Sequence, residues 1–70
     1  MIYKKVKSSN ILKIGYDEKT ETMEVQFKSG TYQYYGVPAH IYKVVSNSRS
    51  VGSSLASMIY DKYPSEKLTP

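Results

Sequence analysis

Few residues in this chain have the chemistry of an active site, and they are scattered. Of its 70 residues eight are tyrosine, one is histidine, and none is cysteine or tryptophan. Without a thiol there is no disulfide and no cysteine-based zinc or iron–sulfur site. A single histidine, His40, excludes a histidine-cluster metal site and any two-histidine mechanism. His40 has no acid or nucleophile beside it in the sequence and reads as a solvated surface residue. Ser8-Ser9 and Ser53-Ser54 supply hydroxyls with no evident base to activate them. Ser8-Ser9 reads instead as a turn that bonds backbone groups. Asp17 and Glu18 are adjacent carboxylates in a polar turn, not a convergent acid–base pair. The expectation is a protein with no catalytic residue, no cofactor and no metal.

Charge is more informative. The net charge is +4, and residues 1–13 carry Lys4, Lys5, Lys7 and Lys13 with no acid. Such a basic strand attracts nucleic acid, an anionic lipid surface or an acidic protein. It also has a plainer reading, an edge strand guarded by lysines against edge-to-edge pairing. Only one of the ten basic residues is arginine, and readers of bases and phosphates lean on arginine forks. No apolar run approaches the roughly 18 residues of a membrane span. No apolar stretch follows the N-terminal lysines as in a secretory signal, so a cytoplasmic location is expected.

Alternation predicts the elements that must position these residues. Ile2, Lys4 and Val6 alternate with Tyr3, Lys5 and Lys7 in a short strand. Leu12, Ile14 and Tyr16 alternate with Ile11, Lys13 and Gly15 in the next. Thr22 to Lys28 is the clearest strand, with Met23, Val25 and Phe27 on one face. A four-residue turn at Asp17–Thr20 pairs Ile14 with Met23 and Leu12 with Val25. A two-residue turn at Ser29-Gly30 pairs Phe27 with Tyr32 and Val25 with Tyr34. Leu12, Tyr32 and Tyr34 are then core-directed, whereas Tyr35 shares the opposite face with Gln33, Gln26 and Glu24. After Gly36 the period becomes helical. Val37, Ile41, Val44 and Val45 form one apolar stripe, and Val51, Leu55, Met58 and Ile59 form a second. Gly52 and Ala56 allow close approach of the second helix, which Pro64 ends near Tyr63. The fold expected is α+β: an antiparallel meander of three to four strands, then two short helices packed on one sheet face. Residues 1–63 form a single domain, and 64–70 a frayed, flexible tail.

Several segments, in order, resemble a known family: Val6-x-Ser8-Ser9-x-Ile11, Ile14-Gly15-Tyr16-Asp17 and Met23-x-Val25-x-Phe27-x-x-Gly30. They continue with Tyr32-x-Tyr34, Val37-Pro38, Tyr42, and Ser50-x-Gly52 with Ile59 and Tyr63. The chain resembles the KTSC domain, named for an appendage at the C-terminus of some lysyl-tRNA synthetases, over roughly residues 6–63. The resemblance implies the central Tyr-x-Tyr motif at Tyr32 and Tyr34, and a small stand-alone protein of bacterial or phage origin. It implies no established activity, and it brings RNA in only by association with the synthetases. After Ser50-x-Gly52 the family tends to place aromatic residues and an asparagine; here Ser53, Ser54, Leu55 and Ala56 stand instead.

A hydrophobic share of 40% is 28 residues, twenty of them not tyrosine. So small an apolar set must recruit tyrosines to its core, each with a hydroxyl to satisfy. Tyr16, Tyr32, Tyr34 and Tyr63 are assigned there, which makes the Tyr-x-Tyr motif structural. Tyr35, with Tyr3, Tyr42 and Tyr60, is left to the surface. The reading that follows is a non-catalytic module that binds a protein partner, as a monomer or homodimer. The alternative is a binder of RNA or single-stranded nucleic acid. In either, Lys4, Lys5, Lys7, Lys13 and Tyr35 are the candidate contacts.

Overall fold

The computed structural model describes residues 1–68. Its elements are β1 (Ile2–Lys5), β2 (Ile11–Asp17), β3 (Thr22–Phe27), β4 (Gly30–Tyr34), α1 (Ala39–Ser46), α2 (Val51–Met58) and β5 (Ser65–Lys67). The strands form one antiparallel sheet in the order β1-β2-β3-β4-β5. The expected α+β architecture holds, with one strand more than alternation revealed.

That strand corrects the expectation of a frayed tail. Ser65, Glu66 and Lys67 pair with Tyr34, Gln33 and Tyr32. Backbone bonds flank the ladder on both sides, Tyr35 N–H to the Pro64 carbonyl and Leu68 N–H to the Thr31 carbonyl. The last two residues of the segment, 69 and 70, lie outside the described residues.

Both hairpins are displaced from the expected register, and by the same amount. Ile14 pairs with Val25 rather than Met23, and Val25 with Tyr32 rather than Tyr34. Asp17 is still paired, opposite Thr22, so the turn spans residues 18–21. Phe27 pairs with Gly30, so Lys28 and Ser29 make the tight loop. Each turn has slid by one residue, which moves the partner of every strand residue by two. Because side chains alternate with period two, a slip of two leaves every residue on its face.

Leu12 is the exception. The β2–β3 register shifts between Ile11 and Lys13, placing an extra residue on β2. A one-residue bulge inverts the face of everything beyond it. Ile11 therefore turns inward at 3% exposure, and Leu12 points out at 51%, against expectation.

The buried core comprises Ile11, Ile14, Met23, Val25 and Tyr34 from the sheet, Val37, Val45, Val51 and Leu55 from the helical half, and Ile59 just past α2. Both helices are shorter than their stripes suggested. Pro38 lies outside α1 as its N-cap, its carbonyl accepting from the Ile41 and Tyr42 amides. Val44 is exposed despite its place in the stripe. The Ser50 side chain caps α2 by accepting from the Ser53 N–H, a bond that satisfies one orphan donor of the first turn. α2 ends at Met58 with Ile59 as C-cap, six residues before Pro64, so the proline does not end it. Ala56 faces solvent and mediates no helix approach.

Candidate functional site

One sheet face lies under the helices and the other is open. Alternation from the paired residues puts Tyr3, Lys5, Lys13, Gly15, Glu24, Gln26 and Gln33 on the open face. At its centre Glu24 is only 6% exposed although no helix covers it. The surrounding side chains enclose it. Tyr3 Oη donates to Glu24 Oε2 at 2.9 Å, Gln26 Nε2 to the same oxygen at 3.0 Å, and Gln33 Nε2 to Oε1 at 3.1 Å. Burial pushes the Glu24 carboxyl upward. The three hydrogen bonds and the Lys13 charge outweigh it and hold the group below its ordinary value, as donors to a carboxylate do.

Tyr35 extends this network. Its hydroxyl donates to Glu66 Oε1 at 3.1 Å and lies 3.4 Å from Gln33 Oε1. Partial burial, then the bond to Glu66 and the charge of Glu66, raise its phenol. Lys13 sits over the Tyr3 ring, 4.7 Å from its centroid, a favourable cation–π placement. The Tyr3 ring lies across Gly15, where a Cβ would meet Tyr3 Cδ1 at 2.6 Å; only glycine leaves it that room.

The five candidate contacts therefore do not form one patch. Lys5 and Lys13 pair across the open face, and Tyr35 lies on the same side, occupied by Glu66. Lys4 points the other way and donates to the Ser46 carbonyl at 2.7 Å, tying β1 to the last turn of α1, where a cation is favoured. Lys7 is exposed beyond the end of β1. His40 is exposed on α1, as expected.

The tyrosines divide differently from the sequence reading. Tyr34 is core at 5% exposure, and burial pushes its phenol up to about 12. Tyr60 stacks on it with centroids 6.0 Å apart, and Tyr42 stacks on Tyr16 at 4.6 Å. Tyr16 Oη also donates to the Val37 carbonyl at 2.6 Å. Tyr42 and Tyr60, assigned to the surface, are in fact packed against the core. No apolar period runs through them; the cue would have been their helix-side position opposite a sheet tyrosine.

Two grooves open beside this packing. One, of about 690 Å³, runs between β1, the end of β2 and α1; Met1, Ile2, Tyr16 and Tyr42 form its apolar side, and Asp17, Glu18, Lys19 and Lys43 its charged side. Ile2 stands 84% exposed at its rim, next to Met1 at 46%. The second, of about 550 Å³, is lined by Ser8, Asn10, Phe27, Lys28, Gly52 and Tyr60 among others. Its aromatic wall is backed by the Tyr-x-Tyr pair, since Phe27 meets Tyr32 edge-on at 5.7 Å and Tyr60 stacks on Tyr34.

A family model described as the KTSC domain matches residues 7–63. The chain belongs to the KTSC family. A KTSC domain protein from Yersinia pestis, solved by crystallography, is 37% identical with a TM-score of 0.91, over 96% of each chain. A lysine–tRNA ligase from Nostoc punctiforme is 32% identical over 66 residues, which are 93% of this chain but only 12% of that protein. Ser8, Phe27 and Gly52 of this KTSC chain thus meet at the second groove from distant parts of the sequence.

Gly52 is the second residue of α2, and a glycine held where alanine fits costs extra unfolded-chain entropy, about 0.4–1 kcal/mol. A Cβ there would meet nothing nearer than Ile11 Cδ1 at 3.9 Å, so the fold does not demand glycine. Gly52→Ala is expected to stabilise the KTSC domain by about 0.4–1 kcal/mol in urea denaturation while narrowing the groove. A lower unfolding midpoint would show a helix approach closer than the structure has.

Proposed function

We propose that this KTSC domain is a non-catalytic binding module that engages a protein partner through the β1–α1 side. The observation that carries this reading is the exposed apolar side of the first groove, at Met1 and Ile2. Ile2, the most exposed large hydrophobic among the described residues, stands beside Met1 and the Tyr16–Tyr42 stack. Exposed apolar groups beside a concave aromatic surface are the usual anchor of a protein interface.

RNA is the second reading, favoured by the likeness to a lysine–tRNA ligase and by the lysines. The open sheet face argues against it. A base-stacking platform needs free aromatic faces over a cationic ground. Here the centre is an anion, Glu24, and both tyrosine hydroxyls are bound to carboxylates.

The two readings separate experimentally. A labelled single-stranded RNA is expected to show no saturable binding at low salt, whereas RNA binding through several lysines would appear there and fall steeply as salt rises. Affinity capture from a bacterial lysate is expected to recover a protein with the unmodified chain and to lose it with Ile2→Asp, the fold being monitored by circular dichroism. Equal recovery by both proteins would overturn the groove assignment.

A further inference from the structure

β1 is held to the protein on one side only. Among the described residues it pairs with β2 alone and forms one edge of the sheet. All four of its residues are exposed. Its hydrogen-bonding phase follows from one contact. The Val6 N–H donates to the Leu12 carbonyl at 3.2 Å, in the same register as Lys4 with Ile14 and Ile2 with Tyr16. In an antiparallel ladder inward-bonded and outward-facing residues alternate. Ile2, Lys4 and Val6 therefore bond toward β2, and the N–H and C=O groups of Tyr3 and Lys5 point away from the sheet. Tight packing of the Tyr3 ring on Gly15 agrees, because side chains approach most closely at non-hydrogen-bonded pairs.

Charge selects what can use this edge. Lys4, Lys5 and Lys7 lie along it with no carboxylate among residues 1–13, and Lys13 stands beside Lys5. A second copy of β1 would set lysines against lysines, which is destabilising across a strand pair. Lysines guard an edge against neutral and basic strands, yet the same lysines attract a strand that carries acids.

We infer that β1 is a docking edge for an extended acidic segment of another protein, which adds a sixth strand through the outward backbone groups of Tyr3 and Lys5. The added strand places carboxylates by Lys5 and Lys7 and an apolar residue by Ile2 at the mouth of the first groove. Main-chain bonds supply the register and alternate side chains the selectivity, as in other strand additions. The inference rests on the protein-binding reading above and names the partner's chemistry.

The test titrates the full chain, isotopically labelled, with two synthetic ten-residue peptides, one alternating valine with glutamate and one alternating valine with lysine. The valine–glutamate peptide is expected to shift the Tyr3 and Lys5 amide resonances and slow their hydrogen exchange, at least tenfold more tightly than the valine–lysine peptide. Two variants probe the edge. Lys5→Pro removes an outward donor and leaves the β2 ladder intact, a position where an edge strand tolerates proline, and it should abolish binding. Lys5→Glu keeps the backbone and should reverse the preference between the peptides. Equal binding of both peptides, amide changes away from β1, a preference unmoved in Lys5→Glu, or an RNA oligomer shifting the same two amides more tightly would overturn the inference. Loss of lysate capture in Ile2→Asp without any binding of the acidic peptide would sustain the protein-binding reading and remove the acidic strand. No capture by either protein, with no peptide binding, would remove both.

Discussion

Tyr34→Ala is expected to cost about 3–5 kcal/mol, the range for emptying a large aromatic site in a core. A domain of this length has a total stability of about 4–10 kcal/mol, so the loss takes a large share of it and the variant should melt far below the unmodified protein. The reason is geometric. Tyr34 is 5% exposed, pairs with Met23 at the centre of the sheet, and carries the Tyr60 ring stacked upon it. Its removal opens a cavity and leaves the Tyr60 ring with only its tilted contact to Phe27. Tyr35, one residue on, faces the other way and holds only Gln33 and Glu66. Tyr35→Ala should lose about 1 kcal/mol, since it gives up two hydrogen bonds near the surface and a half-buried ring rather than a core one. Thermal melts of the two variants side by side decide the matter. Similar losses would mean that the Tyr-x-Tyr motif is not the structural half of this pair, and that its role would have to be sought at the surface.

Glu24→Gln should lower stability by about 1–3 kcal/mol near neutral pH, the cost of breaking a satisfied charged network. The carboxylate accepts from Tyr3, Gln26 and Gln33 with both oxygens. A carboxamide keeps one acceptor oxygen and turns an NH2 group toward the donors that the other oxygen served. The pH dependence has a definite sign. The folded carboxyl titrates below its reference value of 4.5, so the unfolded chain takes up the proton first. Stability from Glu24 is complete above about pH 4.5 and is lost as pH falls through the lower folded value. Chemical denaturation from pH 7 to pH 2 should show this acid limb in the unmodified protein and a flatter one in Glu24→Gln. An unchanged acid limb in the variant would assign the titration to other carboxylates.

The faces of the sheet were legible in the sequence because alternation is robust to error. Both hairpin registers slipped by two, and Met23, Val25, Phe27 and Tyr34 still point as expected. Leu12 was misassigned because a bulge leaves no mark in an alternating pattern; Ile11 and Leu12 are equally apolar, and either fits. β5 was invisible for a different reason. Ser65, Glu66 and Lys67 contain no apolar residue and bury none, so only the backbone ladder makes them a strand. The lysines were correctly placed on and beside a basic edge, but their division between faces depends on pairing. Lys4 turns to α1 while Lys5 meets Lys13. Glu24 is legible in the sequence only as a residue of the open face, because a polar residue on the outward phase of a strand reads as solvated. What encloses it is the convergence of β1, β3 and β4 side chains, a property of the assembled sheet. The one available hint was that Gln26 and Gln33, both amide donors, share its face.

The strand order has a kinetic consequence. From β1 to β4 each strand lies beside its predecessor in the chain, so every pairing closes a short loop and forms early. The β4–β5 pairing is unlike the others. It joins Tyr34 to Ser65 across both helices, and closing so long a loop carries a larger entropic cost. Contacts of high sequence separation slow folding and form late. The meander and helices should therefore assemble first, with β5 arriving last. Native-state hydrogen exchange should find the Tyr35 and Leu68 amides, which bracket β5, opening well before those of β2 and β3. Glu66, and with it the outer end of the Tyr35 network, would then come and go with a strand that opens while the core stays shut.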